Sequence, residues 1–293
     1  MGQKTNSIIF RLGLKNAEWK SKYIEKNLEE SSLFFYRDIE VREHIDRIFK
    51  LHGLILHSCR LEHTQSSINC ILLCFEKKSE TEINYKRNNR KNLKTSMSTL
   101  YTNWNGLAVY LGTILKVSLN TFFAGKTVNI RIKNLYSCTL TRFNLNRNAK
   151  SLTREDKETL NDIMKPFRRI LKDKHFKEML KGFWVAVIEK NSSKLVSEVI
   201  GYYFIKNKKK HNFLLFFVKT VLLTLISSKF SRVNGIKIII NGRLNGAQRA
   251  RTRTIQIGKI PQQSLSSIID YYSNTIYTLT GTFGIKVWVC EKG

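Results

Sequence analysis

The stretch INGRLNGAQRARTRT, residues 240–254, sets Arg243, Arg249, Arg251 and Arg253 around Gly242 and Gly246 with no acid anywhere in the run. Alternate residues of a strand share one face, about 6.7 Å apart. Arg249, Arg251 and Arg253 then share a face, and Ala250, Thr252 and Thr254 share the other. Three guanidiniums in a row, each able to pair bidentately, suit a run of phosphates better than one small ligand. The competing reading is a solvated strand face, which the lack of nearby acids weakens. A nucleotide loop requires the glycine spacing of a P-loop or a dinucleotide fold opening a helix. Neither spacing is present, so the glycines predict a tight turn between two strands.

Two other groupings raise chemistry. His57, Cys59, His63, Cys70 and Cys74 fall in one stretch, which poses a zinc question. No C-x-x-C pair occurs, and alternation sets Cys70 and Cys74 beside Ile68 and Leu72, so buried small hydrophobes are expected and no metal. For catalysis, the most basic tract offers only His211, and Ser264, Ser266 and Ser267 have no evident base. The reading is a protein without enzyme activity or cofactor.

Charge dominates the chain: 51 Lys and Arg against 22 Asp and Glu in 293 residues, formally +29. Self-repulsion of that size opposes compaction unless a polyanion is normally present. Nucleic acid is the first candidate and an anionic membrane the second. From Val199 to Ile269 there is no acid at all, while Lys206, Lys208, Lys209, Lys210 and Lys259 join the arginines. The run FLLFFVKTVLLTLI (213–226) is too short for a bilayer and carries Lys219 at its middle, so it predicts a buried helix and no membrane partner. Five irregularly spaced cysteines indicate a reducing compartment. The opening MGQKTNSIIFRLG has no secretory apolar core, and the acids Glu18, Glu25, Glu29 and Glu30 argue against a transit peptide.

The elements that must position these residues follow from periodicity. Residues 33–49 read as a helix capped at Ser31 or Ser32 and stopped by Gly53. Residues 54–62 and 68–76 read as a hairpin. The polar stretch 77–94 reads as a loop or insertion, 106–123 as a buried helix, and 127–135 as a strand. Thr153 and Asp156 make a capping box for a helix bent at Pro166. FWVAVIE (183–189) reads as a strand, followed by helices near 193–205 and 212–228 and then β structure to the C-terminus.

With those elements placed, the chain resembles the universal small-subunit ribosomal protein three family. The motifs are MGQKTN and RLG (1–6, 11–13), Trp19-x-Ser21-x-Tyr23 and Asp38-Ile39-x-x-Arg42 at one end. At the other stand GIKIIINGRLNGAQRAR (235–251), Pro261, IDYY (269–272), Thr278-x-x-Gly281 and GIKVW (284–288), in the family's order. The resemblance implies an α+β protein with a tail (1–32), an N-terminal type II KH-like domain (33–191) interrupted by a large insertion at about 77–165, and a C-terminal domain (192–293). The KH-like domain would use the 183–189 strand. The C-terminal domain would be a mainly antiparallel four-stranded sheet with two helices.

The resemblance also implies a place in the head of the small ribosomal subunit near the mRNA entry channel. Partners would be small-subunit ribosomal RNA, neighbouring ribosomal proteins and nearby mRNA, with no homo-oligomer. Ribosomal RNA contacts are expected at Arg243, Arg249, Arg251, Arg253, Lys259, Lys4, Arg11 and Arg42. Lys206, Lys208, Lys209 and Lys210 are candidates near mRNA or a neighbouring protein. The chain departs from the family in lacking a GXXG between KH helices; its one GXXG, GTFG (281–284), lies in the other domain. The insertion and a composition rich in Asn, Ile, Lys and Phe point to a mitochondrial, organelle-encoded version, with a plastid as the alternative. A free organellar RNA-binding factor in splicing or stability is the rival function.

Overall fold

A computed structural model of the chain describes residues 5–13, 19–76, 104–123, 125–135, 174–189, 191–206, 211–228, 231–279 and 281–292. They form two compact units, Glu18–Cys138, and Met1–Ala17 with Thr139–Gly293. The sequence suggested divisions at 32/33 and 191/192 instead. Lys4, Lys208, Lys209, Lys210, the 77–94 loop and the Thr153–Pro166 helix lie outside the described residues.

In the Glu18–Cys138 unit, helix α1 (Leu28–Leu51) starts earlier than its serines suggested. Asn27 holds the N-cap position in extended geometry without a side-chain cap. Glu30 instead reaches back to accept the Lys26 N–H at 3.0 Å, and Glu29 beside it suits the positive end of the helix dipole. The helix ends where Gly53 adopts φ 70°. Val41, Ile45 and Phe49, four residues apart, are fully buried.

Strands β1 (Ser21–Lys22), β2 (Leu54–His63), β3 (Ser67–Glu76) and β4 (Thr127–Asn134) form one sheet in that order. β2 and β3 make the expected antiparallel hairpin. β4 runs parallel to β3, a pairing that demands a crossover; helix α2 (Trp104–Phe122) lies within it. Residues 104–134 are therefore working parts of this unit rather than part of an insertion. Leu107, Leu111, Leu115 and Leu119 of α2 pack with α1 and the hairpin in one core, joined by Cys59, Cys70 and Cys74. Among the described residues no three His, Cys, Asp or Glu side chains gather as a metal site.

One polar pair is sealed into this unit. His63 Nε2 lies 2.8 Å from Asp38 Oδ1, with the side chains 3% and 0% exposed. Tyr23, Phe34 and Phe123 surround the imidazole at centroid distances of 5.4 to 6.2 Å. The pair ties α1 to the end of β2, where a lost partner would strand a buried polar group.

In the second unit the 183–189 segment departs from the strand reading. Helix α3 (Lys174–Trp184) continues directly into a π-helical turn, Val185–Glu189. A short apolar run such as FWVAVI does not distinguish a buried strand from a buried helix, because every face is covered in both. Helices α4 (Ser193–Lys206) and α5 (His211–Ser227) follow as expected. No described helix is long and apolar enough to cross a membrane. Strands β5 (Val233–Gly242), β6 (Arg251–Gly258), β7 (Ile269–Thr278) and β8 (Gly281–Glu291) form an entirely antiparallel sheet in the order β6-β5-β8-β7. α4 packs on β7 and β8, and α5 on β5 and β6. Ile236, Ile238, Ile240, Ile285, Val287 and Val289 are buried within this unit.

Two outcomes test the N-terminal core. Burial, with the nearby Cys59 and Asp38 adding to it, pushes the Cys70 thiol up to about 12. The folded state thus holds the proton while an unfolded thiol ionises near 8.5. The contribution to stability is full below that value and lost as pH rises toward 12. At pH 8.5 an aromatic disulfide reagent should leave Cys70 unlabelled until denaturant is added; prompt native labelling would contradict the burial. Asp38→Ala should lower the unfolding free energy of this unit by about 3 kcal/mol in denaturant titration, and a change below about 1 kcal/mol would show the pair to be dispensable.

Candidate nucleic-acid interface

The arginine-bearing segment is built around β5, a strand buried along most of its length and paired on both sides. Its register sets Gly242 opposite Arg251, Ile240 opposite Arg253 and Ile238 opposite Ile255. Cross-strand partners share a face, so Arg251 and Arg253 project from the side that carries Ile240 and Ile255. Residues 251–254 are nevertheless exposed on both faces, and burial begins at Ile255. β6 is an edge strand, and its first half runs past the apolar packing with guanidiniums in water.

The connection between β5 and β6 is longer than the expected tight turn. Eight residues, 243–250, separate the strands, with a 3-10 turn at Leu244–Gly246. Asn245 and Gly246 take positive φ, 55° and 74°. Asn245 is bolted to the start of α5: its Oδ1 accepts the His211 N–H at 2.8 Å, and its own N–H donates to His211 Nδ1 at 3.0 Å. His211 is buried, stacked on Phe204 at 4.8 Å and edge-on to Phe283 at 5.4 Å. Gly242 is required because a Cβ there would come within 2.2 Å of the Phe283 ring. Sequence reasoning weighed His211 only as a catalytic base; its value as a loop anchor had no local signal, since its partner is 34 residues away.

The expected contact residues divide into three groups. Arg243, Arg249, Arg251, Arg253 and Lys259 are all exposed along one loop and strand. Arg249 precedes β6 and lies in a bend, so alternation holds for Arg251 and Arg253 alone. Arg243 Nε donates to the Ala247 carbonyl at 2.7 Å, which closes the loop on itself. Asp270 of β7 already accepts from the Ser193 N–H and hydroxyl at 2.8 and 2.7 Å. Lys206 is half-buried, its Nζ 5.7 Å from the centre of the Tyr202 ring.

Arg11 and Arg42 depart from expectation. Arg11 is 8% exposed. It donates from Nε to the Ser267 carbonyl at 2.9 Å, from Nη1 to Ser7 at 3.0 Å, and from Nη2 to Gln262 and Ser264 at 2.9 and 2.7 Å. A guanidinium spent on chain carbonyls is not available to phosphate, and its role is to clamp the N-terminal segment to the 261–267 loop. Arg42, in the other unit, donates from Nη2 to the Ser21 hydroxyl, and its buried Nε has no hydrogen-bond partner. It joins β1 to α1.

That N-terminal unit holds a feature the sequence reading missed. A groove of about 550 Å³ runs between α2 and edge strand β4, lined by Val109, Gly112, Lys116, Ile130 and Arg131 among others. Alternation in NIRIK already places Asn129, Arg131 and Lys133 outward, which was the available signal.

The loop anchor predicts an order of stabilities. Asn245→Ala loses the acceptor for His211 and forces alanine into positive φ, so it should cost about 2 kcal/mol in thermal or denaturant unfolding. Asn245→Gly loses only the acceptor and should cost less. Equal stability of all three chains would show that the anchor contributes nothing.

Comparison with known proteins bears on the same segment. The family model for the ribosomal protein S3 C-terminal domain matches residues 217–289. The small ribosomal subunit protein uS3c of Cyanidium caldarium is 48% identical over 59 residues, 20% of this chain and 28% of that protein. The uS3c of Thalassiosira pseudonana is 46% identical over 62 residues, 21% and 29% of the two chains. That of Euglena gracilis is 36% identical over 73 residues, 25% and 34%. The matched region thus spans about a third or less of these relatives. An all-antiparallel sheet under two helices agrees with that match, which runs from within α5 almost to the end of β8: residues 217–289 are similar to the C-terminal domain of ribosomal protein S3.

Proposed function

We propose that the chain is a structural, non-enzymatic protein of an organellar small ribosomal subunit. It would sit in the head near the mRNA entry channel and bind ribosomal RNA through its basic residues. The observation that carries this reading is the exposed series Arg243, Arg249, Arg251, Arg253 and Lys259 in an acid-free tract of the S3-type domain. Phosphates are the natural ligand for such a series, because guanidiniums without acidic neighbours gain most by displacing counterions from a polyanion. In the sequence, Lys4, Lys206, Lys208, Lys209 and Lys210 add further positive charge.

The N-terminal unit supports a type II KH-like reading through its order of helix, two strands, helix and strand, α1-β2-β3-α2-β4. Lys116 and Arg131 on the α2–β4 groove add cations there. The composition favours a mitochondrial ribosome. The uS3c names of the relatives favour the plastid alternative.

Arg251→Ala should weaken binding to small-subunit ribosomal RNA equally across sequences and lower the slope of log K against log salt by about one unit. Filter binding over a salt series measures both. A loss confined to particular base sequences, or an unchanged slope, would contradict phosphate contact.

A further inference from the structure

The Arg11 clamp has a second consequence. Around it Ile8, Ile9, Phe10 and Leu12 are 39%, 64%, 45% and 39% exposed, held on the 3-10 turn Ile9–Arg11. Leu265 and Ile268, next to the Ser264 and Ser267 carbonyls that Arg11 binds, are 51% and 38% exposed. The arrangement is fixed from below. Ser7, whose carbonyl also accepts from Arg11, takes a hydrogen bond at its hydroxyl from Trp288 Nε1 at 3.1 Å.

We propose that this apolar knob of Ile8, Ile9, Phe10 and Leu12, with Leu265 and Ile268 beside it, is a docking surface for a neighbouring protein whose contact face is apolar at its centre and acidic at its rim. The proposal rests on the ribosomal reading only for where that neighbour is found. Grouped apolar side chains in water mark protein contacts more than other surfaces do. A knob already held by four strong hydrogen bonds needs little further ordering on binding. The acidic rim follows from charge: residues 5–13 and 259–268 contain no Asp or Glu to repel it, in a chain with 51 Lys and Arg against 22 Asp and Glu. RNA fits less well, because bases are bound by stacking on aromatic or guanidinium planes. Here the knob is mostly aliphatic and its guanidinium is buried.

The test is photocrosslinking in intact organelles, with Ile9→p-benzoyl-phenylalanine in the full chain. The expected product is a discrete adduct that survives ribonuclease, is lost to protease, and maps to an apolar peptide flanked by acids. Phe10→Glu should cut its yield by about tenfold while the purified chain's RNA affinity and salt slope stay unchanged. An adduct to RNA, an adduct within the chain itself, no adduct, or an adduct undiminished by Phe10→Glu would each overturn the docking surface. Should the purified wild-type chain fail to bind ribosomal RNA, the proposed function fails, and the adduct still decides the docking surface.

Discussion

The register of β6 against β5 is the constraint on which the C-terminal surface depends. Strand side chains alternate with period two, so a slip of one residue would exchange the arginine and threonine faces of β6. The pairing of Ile238 with Ile255 prevents that slip, because both side chains are buried. Two further fixtures hold the end of the ladder: the close approach of Gly242 to Phe283, and the Asn245–His211 pair of hydrogen bonds. Apolar burial at one end of β6 thus decides where charge stands at the other.

The charge is tolerated because it is segregated. In the described residues of the N-terminal unit cations meet acids, as in Lys22–Glu62, Arg47–Glu43 and Lys50–Asp46. Between Val199 and Ile269 there are no acids to meet, and that tract is carried by a well-packed two-helix, four-strand unit. Burial of each Leu, Ile or Phe of α4, α5 and β5 contributes about 1.5–3 kcal/mol against the repulsion. A stable apolar scaffold holding an uncompensated cationic edge is what a phosphate-binding surface requires.

Much of this was legible in the sequence, for identifiable reasons. The α1 periodicity, the length of the apolar 213–226 run with Lys219 at its middle, the 54–76 hairpin and the four C-terminal strands are each legible locally, and each element is present. The 183–189 segment was misread because an all-apolar run has no period to read. The integration of 104–134 was missed because a parallel strand pair is a long-range event: β3 and β4 are 60 residues apart at Asn69 and Asn129. The same holds for Arg11, which looks like any surface cation until the 261–267 carbonyls close on it. Long-range partners, rather than composition, decided which arginines face water.

The most direct test of the central claim is where the chain travels in a lysate. Organelle extract is resolved on a density gradient at moderate salt, with and without ribonuclease. The ribosomal reading predicts co-migration with small-subunit RNA and displacement to the top of the gradient after digestion. Persistent absence from small-subunit fractions, with the chain sedimenting free or with other RNA, would contradict it and leave a free RNA-binding factor in its place.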